Sequence, residues 1–164
     1  MEDNHIVEWD TRYKIGIPVI DEQHKKLIAM TNDLYTACLG GKGAAKDHFR
    51  KTVREAVDYV RFHFSTEEKI LDRINYPETA AHKKQHEDFV KEIIRQVQAF
   101  EGGRQFVPNV FVRFLRDWVL THIAVSDKAY SEYLMDLKKR GMLFSPDIKP
   151  AQAEVEVAAF GGSS

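Results

Sequence analysis

The stretch from Phe62 to His86, FHFSTEEKILDRINYPETAAHKKQH, leaves few folds open to this chain. His63 and Glu67 stand four residues apart, Asn75-Tyr76-Pro77 makes a break, and His82 and His86 again stand four apart. On a helix, residues four apart lie one above the other on one face. Each half of the stretch therefore aims two metal-ligating side chains in one direction, and the break lets the halves face each other.

The same helical periodicity runs through most of the chain. It predicts a first helix from about Pro18 to Leu39, stopped by Gly40-Gly41, and a second from about Ala44 to Ile74, stopped before Pro77. A third is predicted from about Pro77 to Phe100, ending at Gly102-Gly103. The fourth runs from about Val107 to Lys139, with Pro108 in its first turn and Gly141 after its end. No period-2 alternation is long enough to make a sheet. Short links between long helices favour antiparallel neighbours, so the expected fold is all-α, an up-down-up-down four-helix bundle. Pro18 supplies a preset φ and Asp21 a capping oxygen at the start of the first helix. Residues 1–17 carry Trp9, Tyr13, Ile15 and Ile17, too many apolar groups for a free tail, so an N-terminal arm packed on the body is expected. Residues 1–140 then form one domain. Residues 141–164, with Pro146, Pro150 and a Gly-Gly-Ser-Ser end, are expected to be a flexible or loosely docked tail.

Tracing each helix by steps of three and four gives its inward stripe. The first stripe reads Ile20, His24, Leu27, Thr31, Leu34, Cys38; the second Phe49, Val53, Ala56, Val60, His63, Glu67, Leu71. The third reads His82, His86, Phe89, Ile93, Val97, Phe100. The fourth reads Phe111, Leu115, Trp118, His122, Ala129, Tyr133, Leu137, with the spacing bridged near Val125 and Ser126. Every helix turns at least one histidine inward. A buried polar group without a partner costs a few kcal/mol, and an isolated charge more. Neutral imidazoles satisfy one another only in particular tautomers, and charged ones repel. Metal ions resolve the conflict by taking the imidazole nitrogens as ligands and neutralising the carboxylate.

Five histidines and a carboxylate exceed one four-coordinate zinc and point to a binuclear centre. The segment HKKQH lacks the glutamate of the zinc-protease pattern HEXXH. No glutamate stands three residues before any inward histidine, so the Glu-x-x-His signature of carboxylate-rich di-iron proteins is absent too. His5 and His48 lie off the stripes, and Glu68 faces about 100° away from Glu67, as a solvated helix residue would. Cys38 on its apolar stripe reads as core filling. A single cysteine and a polar, acidic N-terminus without a signal-peptide pattern fit the cytoplasm. A net charge of −1 recommends neither nucleic acid nor an anionic membrane as a partner, and no apolar run reaches the ~20 residues of a membrane span.

At these residues the sequence resembles the hemerythrins, specifically the bacterial hemerythrin-like proteins. The likeness covers roughly residues 9–137 and is carried by Trp9, GIPVIDEQHKKL, HFSTE, HKKQH and HIAVSD. It implies a non-haem di-iron centre. One iron is held by His82, His86 and His122, the other by His24 and His63, and Glu67, Asp127 and a solvent-derived oxo or hydroxo group bridge them. The resemblance supplies Asp127. Five residues after His122, it falls about 140° round an ideal helix, so a locally wider, π-type winding is one way to bring it in. Three histidines on one iron and two on the other leave one position open. The implied function is reversible dioxygen binding, as a carrier or store rather than an enzyme, with oxygen held as hydroperoxide on the iron of His24 and His63. Leu27, Phe64, Trp118 and Ile123 are candidates for lining a dry oxygen pocket. An oxygen or redox sensor, and a di-iron peroxidase or nitric-oxide-handling enzyme, are the competing functions. No protein partner is indicated.

Overall fold

A computed structural model describes residues 5–39, 44–103 and 107–144. Helix α1 spans Pro18–Leu39, α2 Ala44–Arg73, α3 Thr79–Glu101 and α4 Pro108–His122. A π-helical turn, Ile123–Asp127, joins α4 to α5, Lys128–Lys139, with helical φ and ψ at both junction residues, His122 and Lys128. Two short 3-10 turns, Thr11–Tyr13 and Met142–Phe144, flank the bundle. No strand occurs among the described residues. With α4, the π turn and α5 forming one rod, four rods pack up-down-up-down. Helix α1 lies against α2 and α4, and α2 against α3.

The sequence boundaries hold to within about two residues. The α2–α3 connection turns on Asn75, whose φ of 49° is left-handed. Asparagine tolerates that conformation, and Tyr76 N–H closes the helix end on the Leu71 carbonyl at 3.1 Å. Gly141 has φ 67° after α5, where a side chain would be strained. The stop at Gly40-Gly41 and residues 145–164 of the tail lie outside the described residues.

The N-terminal arm is pinned as its apolar content demands. Ile15 and Ile17 are buried. Asn32 on α1 accepts from the Ile6 and Val7 N–H groups (3.0 and 3.2 Å) and donates to the Val7 carbonyl (2.8 Å). Asp21 departs from expectation. Its carboxylate accepts from Ile15 and Gly16 N–H (2.8 and 3.1 Å), so it ties down the arm. Ser131 on α5 donates to the Ile15 carbonyl and fixes the arm to the far rod.

The inward stripes of α1, α2 and α3 agree with the sequence, and the fourth needs one correction. Phe111, Leu115 and His122 are buried as expected, but Ala129 is exposed and Tyr133 only half-buried. The residues that face the core are Asp127, Tyr130, Leu134 and Leu137. The π turn explains the shift. It adds a residue to one turn of the rod, so Tyr130 and Leu134 take the places expected of Ala129 and Tyr133.

Candidate metal centre

An antiparallel bundle sets the start of one helix beside the end of the next. His24 sits early in α1, His63 and Glu67 late in α2, His82 and His86 at the start of α3, and His122 at the end of α4. All therefore lie at one level of the bundle, and every one is at least nine-tenths buried. The π turn brings in the last member. Its i→i+5 bond, from Lys128 N–H to the Ile123 carbonyl, winds the chain wide and returns Asp127 to the face of His122. His122 Nε2 lies 3.1 Å from Asp127 Oδ1.

The donor atoms form two overlapping groups, each drawn together within 4.8 Å. Glu67, His82, His86, His122 and Asp127 make one; His24, His63, Glu67 and Asp127 make the other. The two carboxylates belong to both. In the first, three imidazole Nε2 atoms converge, with His122 lying 3.0 Å from His86 and 3.2 Å from His82. One N–H on His122 cannot serve both neighbours. In the second, both ring nitrogens of His24 are buried without a hydrogen-bond partner. Asp127 Oδ2 lies 3.1 Å from His24 Nε2, but without hydrogen-bonding direction. Glu67 Oε2 and both Asp127 oxygens are likewise left without a hydrogen bond. Buried polar atoms almost always have partners. So many orphans aimed at common points fit cations coordinated there, and the donor set, imidazole with carboxylate, suits iron.

Electrostatics within the protein point the same way. Burial works against charge throughout the cluster, yet the Asp127 and Glu67 carboxylates outweigh it at His82, raising it to about 9. His24 is raised for the same reason, by Asp127 above all. At His63 burial dominates and lowers it to about 4. Burial would raise Glu67 and Asp127, but the surrounding imidazoles hold both carboxylates below their ordinary range. The cluster keeps two anions ionised in a dry interior, the condition for binding cations.

Around the donors, the outer nitrogens are held by partners that the sequence did not identify. Gln23 Oε1 lies 2.8 Å from His63 Nδ1, and Glu68 Oε1 lies 3.0 Å from His86 Nδ1. Glu68 is thus not merely solvated; one α-helical step from Glu67 carries it to the outer edge of α3. Each acceptor fixes the tautomer that leaves Nε2 free to ligate. Tyr130, fully buried, donates to Glu67 Oε1 at 2.8 Å, and burial beside Glu67 raises its phenol well above the usual value, which keeps it a donor. Aromatic faces pack on two of the rings: Phe64 stacks on His86 at 3.6 Å and Trp118 on His122 at 4.3 Å. Replacing Gln23 or Glu68 with alanine is expected to weaken metal affinity about 10- to 100-fold, measured by competition with a chelator.

Leu27, Phe64, Trp118 and Ile123, the four expected pocket residues, all line one small cavity of about 10 Å³ that also touches His63, His122 and Asp127. His5 and His48 are exposed and outside the cluster. Cys38 is half-buried, and burial pushes its thiol up to about 11, as a packing residue requires.

Four rods meeting at five buried imidazoles and two shared carboxylates define a histidine-rich metal-binding bundle. A profile of the hemerythrin HHE cation binding domain matches residues 15–134. A bacteriohemerythrin of Stenotrophomonas maltophilia is 34% identical over 127 residues, 77% of this chain and 80% of that protein. A hemerythrin-like protein of Naegleria gruberi is 29% identical over 77% of this chain and 92% of its own length. The crystal structure of a wild-type hemerythrin superposes with a TM-score of 0.72 at 29% identity, covering 77% of this chain and 96% of that one. The chain belongs to the hemerythrin family, and its cluster fits the non-haem di-iron centre which that family implies.

Proposed function

We propose that this chain binds dioxygen reversibly at a di-iron centre and serves as a carrier or store, not an enzyme, in the cytoplasm. His82, His86 and His122 would hold one iron, His24 and His63 the other, and Glu67 and Asp127 would be shared by the two. The pair, when bound, supplies two electrons and one open coordination position for the gas. The observation that carries the reading is the asymmetry of the donors: three imidazoles on one side, two on the other, with both carboxylates common to the two.

The protein's own part is to hold and to exclude. Gln23 and Glu68 orient His63 and His86, and Tyr130 holds Glu67 in place through Oε1. Leu27, Phe64, Trp118 and Ile123 keep the neighbouring cavity apolar. Its only polar walls are His63, His122 and Asp127, all of them donors already placed in the cluster. The cavity thus presents no spare acid or base for proton transfer to a substrate, which favours binding over turnover.

The test is reversibility. Reduced protein exposed to oxygen and then purged should cycle between coloured and colourless states without loss, and peroxide or nitric oxide should not be turned over. Leu27→Ala or Trp118→Ala admits water, and oxidation to the inactive ferric form is expected to accelerate about tenfold, the scale of a 1.4 kcal/mol change in barrier. An unchanged rate in stopped-flow or slow optical traces would remove that residue from the pocket's role.

A further inference from the structure

We propose that Tyr130, Tyr76 and Tyr133 form a redox relay that discharges a stray oxidising equivalent from the metal cluster to the protein surface. The proposal rests on the di-iron reading above and adds to it a route for electrons.

Tyr130 on α5 is fully buried and meets the cluster twice. Its hydroxyl donates to Glu67 Oε1 at 2.8 Å, and its ring stands edge-on to His82 with centroids 5.6 Å apart. The same ring meets Tyr76, in the α2–α3 connection, at 6.5 Å, and Tyr76 meets Tyr133 at 5.4 Å, both pairs edge-to-face. Tyr76 and Tyr133 are half-buried. Three phenols thus lead from the dry cluster to solvent, with no step longer than 6.5 Å between ring centroids. Edge-to-face packing asks only for rings, which phenylalanine also supplies. A relay needs the hydroxyls as well. A phenol that loses an electron becomes strongly acidic and sheds its proton with it, so every member needs a proton acceptor. Glu67 Oε1 already accepts the Tyr130 hydrogen bond, and solvent serves the half-buried Tyr76 and Tyr133. Trp118, another oxidisable ring against the cluster, stacks on His122, but its indole N–H donates to no described residue.

The need for discharge arises with hydrogen peroxide, when the metal pair holds only one electron. Reduction of peroxide to two waters breaks the O–O bond and takes two electrons and two protons. The pair gives the first electron. The second would otherwise be torn from a neighbouring side chain such as Leu27 or Ile123. Tyr130 gives it instead, and its proton moves along the hydrogen bond to Glu67. An electron from Tyr76 or Tyr133 then refills Tyr130, and the proton returns. The net loss is one electron and one proton from a surface phenol. Two protons are drawn from solvent by the peroxide and one is given back by that phenol. Without an outside reductant each chain discharges once, so the relay protects the site and does not turn peroxide over.

The experiment is freeze-quench electron paramagnetic resonance of the iron-loaded, half-reduced protein mixed with an equimolar amount of hydrogen peroxide, grown with and without ring-deuterated tyrosine. A phenoxyl signal that narrows on deuteration is expected, and a nitroso spin trap in solution should mark Tyr76 or Tyr133 in peptide mass spectra. Tyr76→Phe/Tyr133→Phe keeps both rings and leaves the cluster untouched. In that variant the signal, confined to buried Tyr130, should persist about tenfold longer. At equal iron content, Tyr130→Phe should leave Tyr76 and Tyr133 unmarked. A radical on Trp118, or no protein radical in the iron-loaded wild type, overturns the proposal. So does an unchanged signal lifetime in the double variant, or marking of Tyr76 and Tyr133 that survives Tyr130→Phe. A protein that shows the relay but oxidises irreversibly in oxygen would sink the carrier function alone.

Discussion

Glu67→Ala is expected to purify with most of its iron missing, and Asp127→Ala with it. Each carboxylate belongs to both donor groups, so removing one dismantles two coordination spheres at once. His24→Ala, by contrast, takes a donor from one group alone. Replacing an orienting residue weakens metal binding about 10- to 100-fold, and a shared ligand should exceed that range. The metal-free Glu67→Ala protein is expected to stay folded but to be less stable than the metal-free wild type, because the imidazoles that hold Glu67 below its ordinary range lose their anion and the buried Tyr130 hydroxyl loses its acceptor. Elemental analysis and thermal unfolding of both forms check this. Full iron content in Glu67→Ala would mean that the carboxylate is not a ligand.

Removing the metal should destabilise the protein by several kcal/mol and make its stability fall in alkali. Free energy of metal binding is folding free energy wherever the site exists only in the folded state. In the metal-free protein, His82 is raised to about 9 by Asp127 and Glu67 against the opposing effect of burial. A raised histidine contributes stability fully below its unfolded value of about 6.5, and that contribution is lost as pH climbs through 9, roughly 3 kcal/mol in all. Glu67 and Asp127 have the opposite sense. Their folded values are depressed, so their contribution is present above about pH 4 and lost as acid protonates them. His63, lowered to about 4 by burial, opposes protonation and adds to the acid loss below about 6.5. In the loaded protein the imidazoles carry metal rather than a proton. Its stability should then be flat between pH 6.5 and 9, and metal release should set in on the acid side. Urea unfolding at pH 6.5 and pH 9, with and without a chelator, separates the two. Equal alkaline slopes would remove His82 from the metal site.

The bundle was legible because the chain marks its helices with strong punctuation and a period that never breaks before His122. Asn75-Tyr76-Pro77 and Gly102-Gly103 end their helices where the structure ends them. The histidines were legible because a polar residue on an apolar stripe needs a reason. What the stripes alone could not give was anything beyond the π turn. A 3.6-residue period carried past Ile123 selects Ala129 and Tyr133, whereas the wider turn selects Asp127, Tyr130 and Leu134. Asp127 came from family likeness, which left two ways to bring it in, a long reach from an ordinary helix or a wider winding, and the backbone takes the second. Glu68 and Gln23 were hidden for another reason. Their contacts run between helices, from α2 to α3 and from α1 to α2, and depend on how two cylinders are rotated about their axes. A single helix's periodicity carries no such information. Asp21 was given the right place and the wrong partner, since a carboxylate in the first turn can face either its own helix or the chain that precedes it.

The most direct test is metal analysis combined with an optical spectrum of the reduced, anaerobic protein before and after oxygen, and again after oxygen is removed. The expected result is a di-iron protein, colourless when reduced, coloured under oxygen and colourless again after purging. Zinc in place of iron, a single metal per chain, or oxidation that cannot be reversed would contradict dioxygen carriage at a centre held by His24, His63, Glu67, His82, His86, His122 and Asp127.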